Sequence, residues 1–157
     1  MSDYPRRLYH TTPGWVGSGA LFHVRIRAAA EQSPELVDAK LAPELLAAVQ
    51  RYHEAGHWWC KLCLLMPDHL HAMLAFPDPG EMATVIRNWK RGVARFQGVR
   101  WQENFFDHRL RNGAEEDECW TYIRFNPVVK KLCRDEDAWP HWWSGEIQSG
   151  SEQKKTR

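Results

Sequence analysis

The stretch from Trp58 to Phe76 narrows the possible folds more than any other part of the chain. A mostly apolar run, Trp58-Trp59-Cys60-Lys61-Leu62-Cys63-Leu64-Leu65-Met66, has the length of a buried strand and is too short for a typical helix. Pro67-Asp68 then breaks it as a turn. A second run, His69 to Phe76, follows at once. Two strands joined by so short a break pair as an antiparallel hairpin. Side chains alternate along a strand, so His69, His71, Met73 and Ala75 share one face. Leu70, Ala72, Leu74 and Phe76 share the other. A hairpin this apolar has to be covered by other elements.

The flanking sequence supplies them. Phe22, Val24 and Ile26 alternate with His23, Arg25 and Arg27, the period of a strand with one apolar and one basic face. Ser33-Pro34-Glu35 and Pro43-Glu44 read as helix starts. Leu45, Leu46, Val49, Tyr52 and His53 fit one face of a helix that stops at Gly56. Asp78-Pro79-Gly80-Glu81 resembles a capping box. The helix behind it aligns Met82, Val85, Ile86, Trp89, Val93 and Phe96 on one stripe, and Arg87, Arg91 and Arg95 on another with Lys90 beside them. Residues 99–106 read as a further strand. The acids Glu115 to Glu118 favour a helix N-terminus, and that helix carries Trp120, Tyr122 and Ile123 toward Asn126-Pro127. The order strand, helix, two strands, helix, strand, helix predicts an α+β architecture. Its antiparallel sheet, ferredoxin- or RRM-like, has helices packed on one face.

Composition bounds the function classes. The chain has 157 residues, enough for one domain with a substantial core. With 43% hydrophobic and 26% charged residues it is an ordinary globular chain. This excludes a disordered, collagen-like or coiled-coil protein. No apolar run reaches membrane-spanning length, and the charged start Met1–Arg7 lacks the apolar segment of a secretory signal. The expected organisation is an irregular arm at 1–20, the domain at 21–143, and a polar, disordered tail at 144–157. Between Arg87 and Arg111 seven basic residues face only Glu103 and Asp107, so this stretch carries a net +5 and the rest of the chain −4, in a chain whose net charge is +1. Such a segment is a candidate for binding a polyanion, or simply a solvated helix face.

Two constellations could carry chemistry. His69 and His71 project from the same strand face with Cα atoms about 6.5–7 Å apart, a spacing that suits two ligands of one metal ion. They could also be two unrelated polar side chains on a solvated face. Tyr122 and Asn126 lie four apart on one helix face. A tyrosine can be a covalent nucleophile and an asparagine oxygen can bind a hard cation. The alternative is a core tyrosine and a helix-ending asparagine before Pro127. Cys60-Lys61-Leu62-Cys63 has zinc-site spacing, with Cys119 and Cys133 as further thiols. Residues three apart on a regular strand point to opposite faces, so buried free thiols are the plainer reading.

Together these segments resemble a known family. Met66-Pro67-Asp68-His69-Leu70-His71 is similar to the histidine–hydrophobic–histidine (HUH) signature of single-tyrosine transposases. Tyr122-Ile123-Arg124-Phe125-Asn126-Pro127-Val128 resembles their nucleophile helix, in particular that of the REP-associated tyrosine transposases. Ile86-Arg87-Asn88-Trp89-Lys90-Arg91 resembles the basic helix of that family. Trp101-Gln102 and Phe105-Phe106-Asp107-His108-Arg109-Leu110-Arg111 resemble a further block, all in one consistent order over residues 20–143. Val129-Lys130-Lys131 departs from the family's common Arg-Ala-Gly.

The resemblance implies a metal-dependent single-stranded DNA endonuclease and strand-transferase. It implies Tyr122 as nucleophile forming a 5′-phosphotyrosine, and His69, His71 and Asn126 as ligands of Mg²⁺ or Mn²⁺. It implies Arg87, Lys90, Arg91, Arg95, Trp101, Arg109 and Arg111 as DNA contacts, with Phe105 and Phe106 as further stacking candidates. The expected substrate is hairpin DNA, REP-like palindromes with a 5′ guide tetranucleotide. The expected protein is a cytoplasmic, nucleoid-associated monomer or dimer. A domesticated hairpin-binding regulator is the alternative.

Overall fold

The structure, a computed structural model, describes residues 21–29 and 33–146. Five antiparallel strands lie in the order β4-β1-β3-β2-β5: β1 (Leu21–Arg27), β2 (Trp59–Leu65), β3 (His69–Ala75), β4 (Phe106–Arg109) and β5 (Trp142–Trp143). Three helices accompany them: α1 (Leu41–Glu54), α2 (Met82–Gln97) and α3 (Gly113–Val129). The α+β architecture and the β2–β3 hairpin stand as expected, and the first four strands have ferredoxin-like connectivity. Every residue of the central strand β3 is buried. Its two faces belong to two cores. Leu70, Ala72, Leu74 and Phe76 pack with Val24, Ile26, Leu45, Val49, Ile86, Trp89 and Val93 from β1, α1 and α2. Met73 and Ala75 pack with Leu62, Leu64, Cys119 and Ile123 from β2 and α3. So α1 and α2 share one face as expected, whereas α3 covers the other. The helices are not all on one side because both faces of the hairpin are apolar.

Local chemistry sets the ends of the helices. The Asp38 carboxylate accepts from the backbone N–H groups of Lys40 and Leu41, both at 3.0 Å, so α1 begins at Leu41, ahead of Pro43. Residues 33–40 form turns and no helix starts at Ser33-Pro34. Gly56, with φ +83°, takes the left-handed conformation that ends the α1 turn. Asp78 accepts from Gly80 N–H at 3.0 Å, but it caps a 3₁₀ turn, Pro79–Glu81, that leads into α2. Within α2, Ile86, Trp89 and Val93 are buried, while Phe96 at the end of the stripe is 75% exposed. The strand expected at 99–106 is mostly an extended connection. It touches β1 through one bridge, Ala28 with Trp101, and pairs regularly only from Phe106. Asn112 caps α3 by accepting from Glu115 N–H at 2.9 Å, and Glu115 accepts from Arg111 N–H at 2.7 Å. This helix continues through Pro127 to Val129 and does not end at Asn126.

Two further readings are corrected by detail. A bulge between Cys60 and Leu62 adds one residue to β2, so Cys60 and Cys63 face the same core instead of opposite faces. Both remain free thiols, and burial pushes Cys63 up to about 12. The domain also extends past residue 143. Ser144 Oγ donates to Lys61 O at 2.6 Å and Gly145 N–H to Cys60 O at 2.9 Å, which fastens these residues beside β2. The expected arm at 1–20 and the tail beyond Glu146 lie outside the described residues.

His53 links α1 to this region. Its Nδ1 accepts from Cys60 N–H at 3.0 Å, and burial lowers its pKa to about 4, with Glu54 opposing. The unfolded chain therefore takes up the proton first on acidification. Stability should be full above about pH 6.5 and fall as pH drops toward 4, by up to about 1.4 kcal/mol per pH unit for one such group. Urea unfolding between pH 7.5 and 4.5 checks this. His53→Gln, whose amide oxygen can still accept from Cys60, should flatten the acid limb, and an equally steep limb in that variant would remove His53 as a source.

Candidate histidine–tyrosine site

The pairing of β1 with β3 builds the floor of the site. Arg25 lies opposite His71, Arg27 opposite His69 and His23 opposite Met73. The polar face of β1 is thereby laid beside the histidine face of β3. On the far side of β1, His23 lies opposite His108 and Arg25 opposite Phe106 of β4. Helix α3 crosses above and lowers Tyr122 onto the imidazoles. The Tyr122 ring meets His71 edge-on at 5.6 Å between centroids and His23 at 6.0 Å. It stays 53% exposed, so its hydroxyl end remains open to a ligand. Asn126, one turn further on, is 4% exposed, and its Oδ1 is buried with no hydrogen-bond partner. An unpartnered buried carbonyl is costly unless something binds it.

The three histidines form a chain of contacts. His69 Nδ1 meets Asp68 Oδ1 at 2.7 Å, His69 Nε2 meets His71 Nε2 at 3.2 Å, and His71 Nδ1 meets His23 Nε2 at 3.0 Å. Proton positions follow from the partners. Asp68 accepts, so His69 carries its proton on Nδ1 and leaves Nε2 bare. With neutral rings, His71 then donates from Nε2 to His69, and His23 donates from Nε2 to His71 Nδ1. The rings are held neutral. Burial drives His71 down to about 2, aided by His69, His23 and the two arginines, and drives His23 down to about 4. Burial also lowers His69, against the opposing pull of Asp68.

This donor set fits a divalent cation. Two nitrogens bound at about 2.1 Å and at right angles around one ion lie about 3 Å apart, close to the separation of the two Nε2 atoms. Asn126 supplies an unused oxygen on the helix that covers them. To bind, His71 would move its proton from Nε2 to Nδ1 and donate to His23, whose Nε2 would become the acceptor. Histidine can serve in both senses. No group of three or more His, Cys, Asp or Glu side chains poised to hold a metal occurs among the described residues.

The residues expected to meet DNA divide between the two sides of the sheet. Arg87, Arg91 and Arg95 are exposed on α2, on the face opposite the histidines. The β1–β4 register sets Arg109 opposite Phe22, also toward that side. Arg111 is exposed where β4 leads into α3. Lys90 is not a free cation: its Nζ donates to the carbonyls of Gln102 and Glu103 at 2.8 and 3.0 Å, and burial lowers its pKa. Trp101 is half-buried against Trp89, 5.8 Å between centroids, as part of the core edge. Phe105 packs on the same core, while Phe106 is exposed on the site face. Sequence reasoning missed His23 and Asp68. Their signals were present: His23 sits on the polar face of β1, and Asp68 directly precedes the first histidine.

Two buried histidines thus lie on a ferredoxin-like sheet with an exposed tyrosine above them. No protein-family model matches the chain. Over 80 residues it is 25% identical to the REP-associated tyrosine transposase of Escherichia coli (strain K12), covering 49% of this chain and 48% of that protein. The chain thus spans about half the length of the curated relative it matches. It superposes with a TM-score of 0.69 on a structure of the REP-associated tyrosine transposase bound to a REP hairpin. That superposition covers 100% of this chain and 87% of the other at 20% identity. The chain has the fold of the REP-associated tyrosine transposases and is similar to one of them in sequence.

The histidine chain makes a binding prediction independent of catalysis. His23→Phe cannot accept from His71 and should weaken Mn²⁺ binding about 10–100-fold. His23→Gln, which can donate or accept, should retain most of it. Mn²⁺ titration followed by electron paramagnetic resonance checks this, and equal affinity in His23→Phe would contradict it.

Proposed function

We propose that the chain is a member of the REP-associated tyrosine transposase family and acts as a single-stranded DNA endonuclease and strand-transferase on hairpin DNA. The observation that carries this reading is the contact of an exposed Tyr122 with His71 and His23, residues that the fold brings together from three separate elements. A core tyrosine would be covered, and the Oδ1 of Asn126, one turn further along the same helix, is buried with no hydrogen-bond partner. His69, His71 and Asn126 would hold Mg²⁺ or Mn²⁺, which neutralises phosphate charge and polarises a phosphoryl oxygen when bound. Tyr122 Oη attacks phosphorus as its own proton passes to solvent. The bond from phosphorus to the 3′ oxygen breaks, that oxygen takes a proton from solvent and leaves as a 3′-hydroxyl, and the 5′ phosphate stays on the tyrosine. Energy conserved in that ester allows rejoining to another 3′-hydroxyl without a nucleotide cofactor.

Arg87, Arg91, Arg95 and Arg109 would grip phosphates of a hairpin stem on the helical side. The single strand would reach Tyr122 around the open edge of β4, past Arg111 and the exposed Phe106. Lys90 and Trp101 would support that surface by fixing the 99–105 connection to α2. A REP-like palindrome with a 5′ guide tetranucleotide is the proposed substrate, met in the cytoplasm at the nucleoid. No helix among the described residues is long and apolar enough to cross a membrane.

Denaturing gels with labelled hairpin DNA and Mg²⁺ or Mn²⁺ test the reading. Tyr122→Phe removes one hydroxyl, so hairpin binding should persist while cleavage and the covalent adduct fall below detection. His69→Ala and His71→Ala should also abolish cleavage, and Asn126→Ala should reduce it less, because water can replace one oxygen ligand. Wild-type cutting by Tyr122→Phe would point to a metal-activated water instead. Tight binding by the wild type without cutting in any divalent metal would favour a hairpin-binding regulator.

A further inference from the structure

The basic helix α2 cannot supply the positive charge that a phosphodiester at Tyr122 requires, because its arginines stand on the opposite side of the sheet. The cations on the histidine side come from β1. Arg25 and Arg27 are the cross-strand partners of His71 and His69, and side chains so paired have Cβ atoms about 5 Å apart. Both guanidinium groups act on the histidines, helping to depress the pKa values of His69 and His71. Their surroundings differ. Arg25 lies over the Phe106 ring, 4.8 Å from its centroid, with no carboxylate partner among the described residues. Arg27 makes a loose ion pair with Asp68 at 3.8 Å and is 42% exposed. That same Asp68 holds His69 Nδ1 through its other oxygen.

We propose that Arg25 and Arg27 form the binding site for the scissile phosphodiester, gripping its non-bridging oxygens above the histidine pair and aligning phosphorus with Tyr122 Oη. The inference rests on the transferase reading of the site and adds to it the groups that hold the reacting phosphate. Guanidinium geometry suits the task, since its parallel N–H groups match two phosphate oxygens. The Phe106 ring, 4.8 Å from Arg25 Cζ, gives that guanidinium an apolar surface to rest on instead of a carboxylate. Asp68 restrains Arg27 without saturating it and ties its position to the ring of His69. Charge at the phosphate grows as Tyr122 attacks, so the two arginines should matter more for the chemical step than for hairpin affinity.

The test compares a natural hairpin substrate with one carrying a neutral methylphosphonate at the cleaved linkage, under single-turnover conditions with Mn²⁺. Arg25→Gln and Arg27→Gln should each slow adduct formation on the natural substrate about 10–100-fold, while hairpin affinity changes less than about threefold. The wild type should be strongly penalised by the methylphosphonate, and each variant penalised at least tenfold less, because the interaction lost is the one the neutral linkage already lacks. Arg25→Lys and Arg27→Lys should recover part of the rate. Arg91→Gln on the far face should lower affinity and keep the full wild-type penalty. Thermal melting of each variant separates loss of fold from loss of grip. Glutamine variants that stay folded and keep the wild-type rate, or the full penalty, overturn this inference alone. No adduct from the wild type overturns the transferase reading and this inference with it.

Discussion

The antiparallel pairing of β1 with β3 is the constraint on which the site depends. It has one register, with Leu21 opposite Ala75 and Arg27 opposite His69. Val24 and Ile26 on one face and Met73 and Ala75 on the other are buried, so both sides of the pair resist a slip. Moving β1 by a single residue would turn Val24 and Ile26 toward the histidines and drive His23, Arg25 and Arg27 into the core beneath α1 and α2. Burying two unpaired guanidinium groups costs several kcal/mol each, so the register that protects the core also assembles the site. The same pairing brings His23 within hydrogen-bond distance of His71.

A second feature follows from the apolar character of the hairpin. Because β2 and β3 are apolar on both faces, a helix has to cover the histidine side as well, and α3 does so through Cys119 and Ile123. Its polar positions are thereby pressed toward the imidazoles. Tyr122 rests on them, and Asn126 is carried under cover. The neighbouring Arg124 is buried too, stacked 4.1 Å from the Trp142 ring centroid and bonded toward Glu136, which pins α3 against β5. The hydrophobic contact through which α3 covers the sheet also sets the height of Tyr122 above the imidazoles.

Much of this was legible in the sequence. Period-two alternation gave β1 and β3 and the faces of their side chains, and the helical stripe gave Ile86, Trp89 and Val93 of α2. The spacing of Tyr122 and Asn126 gave their shared face. Other features needed three dimensions. The β2 bulge at Lys61 reverses the expected sidedness of Cys60 and Cys63, and no local pattern announces one extra residue in a strand. Lys90 and Trp101 looked like ligand-binding groups because their types suit DNA. Only the fold shows that the 99–105 connection lies against α2 and occupies both. Which side of the sheet each arginine faces was likewise hidden. It depends on which core each helix joins, and α2 with its arginines and α3 with Tyr122 stand on opposite sides.

The central claim is that Tyr122 carries the DNA. The most direct measurement is peptide mapping of the covalent product after incubation with Mn²⁺ and a hairpin bearing a single-stranded 5′ extension. Trypsin releases Asn112–Arg124, in which Tyr122 is the single tyrosine. After nuclease trimming, tandem mass spectrometry should place a 5′-phosphonucleotide on Tyr122 in this peptide, and only when a divalent metal is present. A nucleotide on Thr121 or in any other peptide, or cleaved DNA with no protein-bound nucleotide, would contradict the account.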